Sequence, residues 1–148
     1  MTQIAVPADA RALGTLARID YADAFLVAVD SAQKRTGEQW ARAALEAAPD
    51  EMRRTLQRGW AALGLKLGMA PRDRSVLGWP IRRSAPEFVL LGTDSRIGMP
   101  AQLLFQRRPD ALLFATFVQQ DNAIARAAWG RVERVHVPIV RRLLERLD

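Results

Sequence analysis

The sequence contains no cysteine and only one histidine, His136, and these absences exclude several classes of site. Without thiols the chain has no disulfide, no cysteine-ligated zinc or iron–sulfur cluster, no thiol nucleophile and no CxxC redox motif. With one imidazole it has no multi-histidine metal site and no proton relay between two histidines of its own. We therefore expect neither a metal nor another cofactor.

Lysine is scarce, since Lys34 and Lys66 are the only two, and arginine supplies almost all of the positive charge behind the net charge of +6. A phosphate-binding patch would usually be clustered, with interleaved aromatic residues, whereas the paired arginines are scattered along the chain. We interpret them as a solvated surface and keep a basic nucleic-acid-binding module as one alternative function. These pairs are Arg53–Arg54, Arg82–Arg83, Arg107–Arg108 and Arg141–Arg142.

No apolar run marks a secretory signal or a membrane span, because charged residues such as Asp9 and Arg18 interrupt the first segment. Hydrophobic residues make up 49% of the chain and charged residues 26%, which is the balance of folded globular proteins. The length predicts one domain over residues 1–148, with residues 1–19 as an N-terminal arm that contains a helix over Ala8–Ala17. We expect a cytoplasmic protein.

One strand and two helices are predicted after this arm. Tyr21–Asp30 alternates large and small apolar residues in the manner of a strand. Thr36 and Gln39 form the pattern of a capping box ahead of a helix over Gly37–Ala47. Pro49 begins a further helix, Asp50–Leu67, whose apolar stripe would serve a homodimer if the sheet does not cover it.

The rest of the chain predicts an antiparallel meander followed by one long helix. Gly68–Ser75 is polar and aperiodic, which indicates a loop. The helical period returns over Ala123–Leu147, with Pro138 inside the helix. The fold class is therefore α+β, with an antiparallel meander sheet packed on a long C-terminal helix. The strands of the meander are Trp79–Arg83, Phe88–Leu91, Met99–Gln106 and Ala111–Gln120.

This order of elements and the wording of four stretches carry a resemblance that covers nearly the whole chain. The stretches are IDYADAF (Ile19–Phe25), RGWAALGLK (Arg58–Lys66), GWPIRRSAPEFVLLGTDSR (Gly78–Arg96) and WGRVERVHVPIVRRLL (Trp129–Leu144). They resemble the START-like helix-grip superfamily, also called SRPBCC, which includes polyketide cyclases and lipid-transfer domains. Within it, the sequence is similar to the bacterial domain-of-unknown-function family 2867.

The resemblance implies a START-like domain with a cavity between the concave face of the sheet and the terminal helix. Such a cavity would hold an apolar or amphipathic small molecule, for example a lipid. The same apolar positions also fit a filled core with a shallow pocket. The residues expected to line the cavity are Phe25, Val27, Phe88, Leu90, Leu103, Phe105, Phe114 and Phe117 from strands, and Trp129, Val132, His136, Ile139 and Leu143 from the helix.

His136 is the candidate for chemistry, because an ordinary histidine has a pKa of about 6.5 and exchanges protons near neutrality. The imidazole would lie between Trp129 and either Ile139 or Val140, partly out of water, as a general base, as a polar anchor for a ligand oxygen, or as a packed histidine. A general base needs an orienting carboxylate, for which Asp121, Asp94 and Glu87 are candidates.

Three functions follow from these observations. The first is a non-catalytic carrier of an apolar or amphipathic small molecule. The second is a cyclase or dehydratase type of enzyme that uses His136, and the third is the nucleic-acid-binding module.

Overall fold

Seven antiparallel strands form one open sheet at the centre of the fold. The computed structural model describes residues 1–147 of the chain. The strands are β1 (Thr2–Ile4), β2 (Tyr21–Ala28), β3 (Ser75–Val76), β4 (Trp79–Ala85), β5 (Phe88–Thr93), β6 (Ala101–Arg108) and β7 (Ala111–Val118). Their order across the sheet is β1-β2-β7-β6-β5-β4-β3. Strands β3 to β7 are therefore a meander, and the two N-terminal strands are added beside its last strand.

Four helices accompany the sheet, and three of them cover one of its faces. They are α1 (Ala8–Arg11), α2 (Gly37–Leu45), α3 (Asp50–Ala62) and α4 (Ala123–Glu145). Buried residues of α2, α3 and α4 belong to one apolar cluster with the facing side of the sheet. The predicted α+β class is confirmed, with a meander packed on a long C-terminal helix and two helices after the first long strand. This is a helix-grip layout.

Local sequence signals explain where α2 and α4 begin. The Thr36 hydroxyl accepts the Gln39 N–H at 3.1 Å, and the Gln39 side chain accepts the Thr36 N–H at 2.9 Å, which completes the predicted capping box. Asn122 caps α4 by accepting the N–H of Ala125 at 2.8 Å. Pro138 lies inside α4, as the sequence predicted.

The sequence prediction is wrong at α3, which ends at Ala62 and not at Leu67. Gly64 has a φ of +69°, and Lys66 then bonds through its backbone N–H to Asp94. A glycine with positive φ ends helices readily because it has no Cβ to clash. In the stripe proposed for a homodimer, Leu56 and Leu63 are buried in the core, and Met52, Trp60 and Leu67 pack against the core and stay half-buried.

The N-terminal arm and the segment before β4 also differ from the prediction. The helix predicted over Ala8–Ala17 is a single turn, Ala8–Arg11, and the strands β1 and β3 were not expected. Both strands are too short for a period of two to show in the sequence. The arm packs its apolar residues on the outer face of the sheet, away from α2, α3 and α4, in a second cluster that we call the outer cluster. Its buried members are Ala10, Ala24, Leu90, Leu104, Leu113, Ala115 and Phe117.

Candidate functional site

A cavity of about 110 Å³ lies between the inner face of the sheet and the helices α3 and α4. Its walls are overwhelmingly apolar and include the indoles of Trp60, Trp79 and Trp129. The residues that line it and stay partly exposed belong to α3 and α4, among them Gly59, Trp60 and Val135. The mouth of the cavity therefore lies between these two helices.

The structure brings seven of the predicted lining residues to this cavity. They are Leu103, Phe114, Trp129, Val132, His136, Ile139 and Leu143. Phe25, Val27 and Phe105 belong to the same core cluster on the helix side of the sheet but do not line the cavity. Phe105 packs on Phe114 with ring centroids 4.7 Å apart.

The predicted position is wrong for Phe88, Leu90 and Phe117, which pack with the outer cluster. The register explains the error, because Val89, Phe105 and Phe114 are paired partners in neighbouring strands and share the inner face. Alternation then turns Phe88 and Leu90 outward. On α4, Trp129 and Val140 are buried, while Val135 lines the cavity and is 52% exposed.

A chain of hydrogen bonds connects three polar side chains beside the cavity. The Nε2 atom of His136 lies 2.9 Å from Oδ2 of Asp23, and the Tyr21 hydroxyl donates to the same oxygen at 2.6 Å. The Asp23 side chain is 2% exposed and the His136 side chain 14%. The carboxylate of Asp23 can accept a hydrogen bond from the Nε2–H group of His136, which leaves the free lone pair of the imidazole on Nδ1. Asp23 therefore orients the imidazole.

Asp23 is the carboxylate that sequence reasoning missed. Asp121 instead accepts from Gln119 at 2.7 Å and pairs with Arg18, while Asp94 accepts the N–H of Ser95. Glu87 is exposed in the turn between β4 and β5. The prediction that one of these three orients His136 is wrong.

A signal for Asp23 was present in the alternation of β2. Tyr21 and Asp23 stand in the same phase as Phe25 and Val27, so all four side chains lie on the inner face. A carboxylate in the apolar phase of a strand is rarely left unpartnered, and the only imidazole of the chain is the partner here.

Aromatic rings enclose the hydrogen-bonded chain. Tyr21 lies 4.9 Å from Trp129 between ring centroids, and His136 lies 5.1 Å from Trp129. Burial raises the pKa of Tyr21, and its hydrogen bond to Asp23 acts in the same direction. The phenol therefore stays protonated and remains a donor to Asp23.

Several buried polar atoms around the cavity have no hydrogen-bond partner within residues 1–147. Beside His136 they are Oδ1 of Asp23, Oγ1 of Thr116 and Nε1 of Trp129. Nε1 of Trp79, whose ring packs against Trp60 at 5.6 Å between centroids, is a fourth. Unpartnered buried polar groups are uncommon in folded proteins, so a concentration of them at one cavity is informative.

Neither a metal site nor a membrane-spanning helix is found in the part of the chain that the structure describes. Among residues 1–147, no three acidic or histidine side chains come together where they could hold a metal ion. Nor does any helix in that range have the length and apolar character needed to cross a membrane.

Comparisons with protein-family models, with curated proteins and with solved structures find no match for the chain.

Proposed function

We propose that the protein binds a small, mainly apolar molecule in the cavity between its sheet and α4, with the polar part of that molecule beside His136. The observation that carries this proposal is an apolar cavity with a mouth between α3 and α4 and with Thr116 and Trp129, which have buried, unpartnered polar atoms, in its lining. Ligand sites have this composition, since apolar walls supply affinity and a few polar groups fix orientation. The helix-grip layout is the one that the resemblance to START-like proteins implies.

The volume restricts the size of the ligand. An apolar cavity of about 150 Å³ holds a benzene molecule. The cavity here, of about 110 Å³, is smaller, so a short branched chain fits within it and a six-membered ring has to extend partly into the mouth. A longer lipid-like molecule would have to extend through the mouth between α3 and α4.

A set of six-membered rings tests the proposal: methylcyclohexane, cyclohexanol, cyclohexanone and cyclohexylamine. We expect at least one to bind the purified protein, measured by ligand-observed NMR and by the shift in melting temperature. Native mass spectrometry would show a molecule retained during purification. If no ring binds and the protein has its bare mass, the proposal is wrong.

Gly59 offers a way to close the mouth without disturbing the fold. It lies in α3 and lines the cavity, and a Cβ added there meets no atom within 4 Å. Gly59→Leu should weaken ring binding at least about tenfold and leave the fold intact, because leucine favours helices over glycine. Gly130→Leu is the matched control, since Gly130 lies in α4, a Cβ there is equally free, and it does not line the cavity. Equal binding by the two variants would place the mouth elsewhere.

A second candidate function is proton transfer on a bound molecule, as in a cyclase or dehydratase. The observation that favours it is the contact of His136 with Asp23, because this carboxylate would stabilise the imidazolium formed when His136 takes a proton. Cyclohexanone labelled with deuterium beside its carbonyl is a suitable probe. His136→Gln should abolish the loss of deuterium that the wild type accelerates, while cyclohexanone still binds. Equal rates in both proteins would remove His136 from any mechanism.

A further inference from the structure

We infer that the ligand of this cavity carries a neutral hydroxyl group, which binds beside Thr116 and Trp129 on the cavity wall and reaches the carboxylate of Asp23 behind them. The inference rests on the proposed function, because it names the chemistry of the molecule that the same cavity binds. What carries it is the type of hydrogen bond that each unpartnered atom still requires.

The three residues are each at least nine-tenths buried, with exposed fractions of 3%, 4% and 4% in the order given above. Oδ1 of Asp23, Oγ1 of Thr116 and Nε1 of Trp129 have no partner among the described residues. Leaving such atoms without hydrogen bonds destabilises the fold. A ligand group that forms hydrogen bonds with all three therefore gains more binding free energy than an apolar group of the same size would.

The three atoms belong to one neighbourhood. Asp23 and Thr116 are directly opposite each other in the pairing of β2 with β7, and side chains in this relation have Cβ atoms about 4.5–5.5 Å apart. Trp129 packs on both Tyr21 and His136, the two side chains that contact Oδ2 of Asp23. Thr116, Trp129 and His136 line the cavity, whereas Asp23 does not line it and contacts the lining residue His136 through Oδ2.

Complementarity selects the ligand group. A carboxylate oxygen only accepts, an indole N–H only donates, and a threonine hydroxyl does both. A ligand hydroxyl can donate to Asp23 and accept from both Thr116 and Trp129, which satisfies all three atoms. A carbonyl or carboxylate offers nothing to Asp23, and an ammonium group cannot accept from Trp129.

The ring set distinguishes these possibilities at nearly constant size. We expect cyclohexanol to bind at least about tenfold more tightly than methylcyclohexane, and more tightly than cyclohexanone or cyclohexylamine, since a hydrogen bond to a charged group contributes at least a tenfold change in affinity. If methylcyclohexane binds as tightly as cyclohexanol, the hydroxyl inference is overturned while the cavity stands. If no ring binds and the purified protein has its bare mass, the proposed function itself fails.

Two variants at Thr116 localise the hydroxyl. Thr116→Val keeps the shape of the side chain and removes Oγ1, so the affinity for cyclohexanol should fall about tenfold and that for methylcyclohexane should not fall. Thr116→Ser keeps the oxygen and should keep the preference for cyclohexanol. Circular dichroism of each variant checks its fold. A preference for cyclohexanol that survives intact in Thr116→Val would overturn the placement of the hydroxyl beside Thr116.

Discussion

Filling the cavity from Ala101 should stabilise the protein and remove its binding activity. Ala101 is buried in β6 and lines the cavity. An empty cavity costs about 24 cal/mol for each Å³, so a volume of about 110 Å³ corresponds to roughly 2.6 kcal/mol. Ala101→Val adds two carbons and Ala101→Ile adds three, and at about 0.8 kcal/mol for each buried carbon they should recover roughly 1.6 and 2.4 kcal/mol.

The assay is thermal unfolding together with ring binding. A gain near 2.4 kcal/mol corresponds to a rise in melting temperature of roughly 5–10 °C for a chain of this size. Isoleucine suits the strand because β-branched side chains pack well there. Cyclohexanol should lose its binding to Ala101→Ile, since the side chain occupies the space of the ring.

Ala115 provides the matched control because it is a fully buried alanine in the neighbouring strand β7, on the outer face of the sheet. Ala115→Ile should overpack the outer cluster and lower stability by about 1–3 kcal/mol. If Ala101→Ile destabilises the protein as much as Ala115→Ile does, the space beside Ala101 is not empty. If Ala101→Ile is more stable but still binds cyclohexanol unchanged, the ring binds elsewhere.

Three further predictions concern the site and the packing around it. His136→Ala leaves the Asp23 carboxylate buried without its imidazole and should lower the free energy of unfolding by about 3 kcal/mol. In urea unfolding, the double variant His136→Ala with Asp23→Ala should lose less stability than the sum of the two single losses. Strictly additive losses would contradict the contact between the two side chains. Tyr21 is the only tyrosine, and its pKa is raised in the folded protein. The protonated phenol therefore contributes stability that is fully present below the ordinary tyrosine pKa of about 10. This contribution should be lost as the pH rises from there through the raised pKa of the folded state. Tyr21→Phe should remove this alkaline decline, and ultraviolet titration of the phenol should show ionisation at lower pH in urea than in the folded protein; identical titrations would refute it. Gly37→Ala would place a Cβ 2.5 Å from the backbone of β5, so this variant should have a lower melting temperature than the wild type. Gly130→Ala should not lower it, because a Cβ at Gly130 meets no atom within 4 Å. Equal melting temperatures of the two variants would contradict the close packing of α2 on the sheet.

Local signals predicted the elements of the fold well, because strand alternation and helix caps depend on neighbouring residues. The capping box at Thr36 correctly predicted the start of α2. The α3 end was misplaced because Leu63 and Leu67 continue the helical spacing, while Gly64 leaves the helix through its own backbone conformation.

The faces of strands and the partners of polar residues depend on long-range pairing. Phe88 and Leu90 were placed inward on hydrophobicity alone, although only the pairing of Val89 with Phe105 decides the face. Asp23 and His136 are 113 positions apart in the chain, and no spacing rule connects them. The alternation of β2 predicts that Asp23 faces inward, but it does not predict which residue is the partner of Asp23.

The position of β2 beside β7 also sets the order in which the protein can assemble during synthesis. Until β7 has left the ribosome, the only neighbour available to β2 within the sheet is β1, which has three residues. Two-stranded pairs of this kind are at best marginally stable in water, so the inner face of β2 stays exposed while more than half of the chain is made. The carboxylate of Asp23 therefore contacts His136 only in the last stage of folding. A nascent chain that leaves the ribosome before β7 is made exposes the apolar strand β2 and is prone to aggregation.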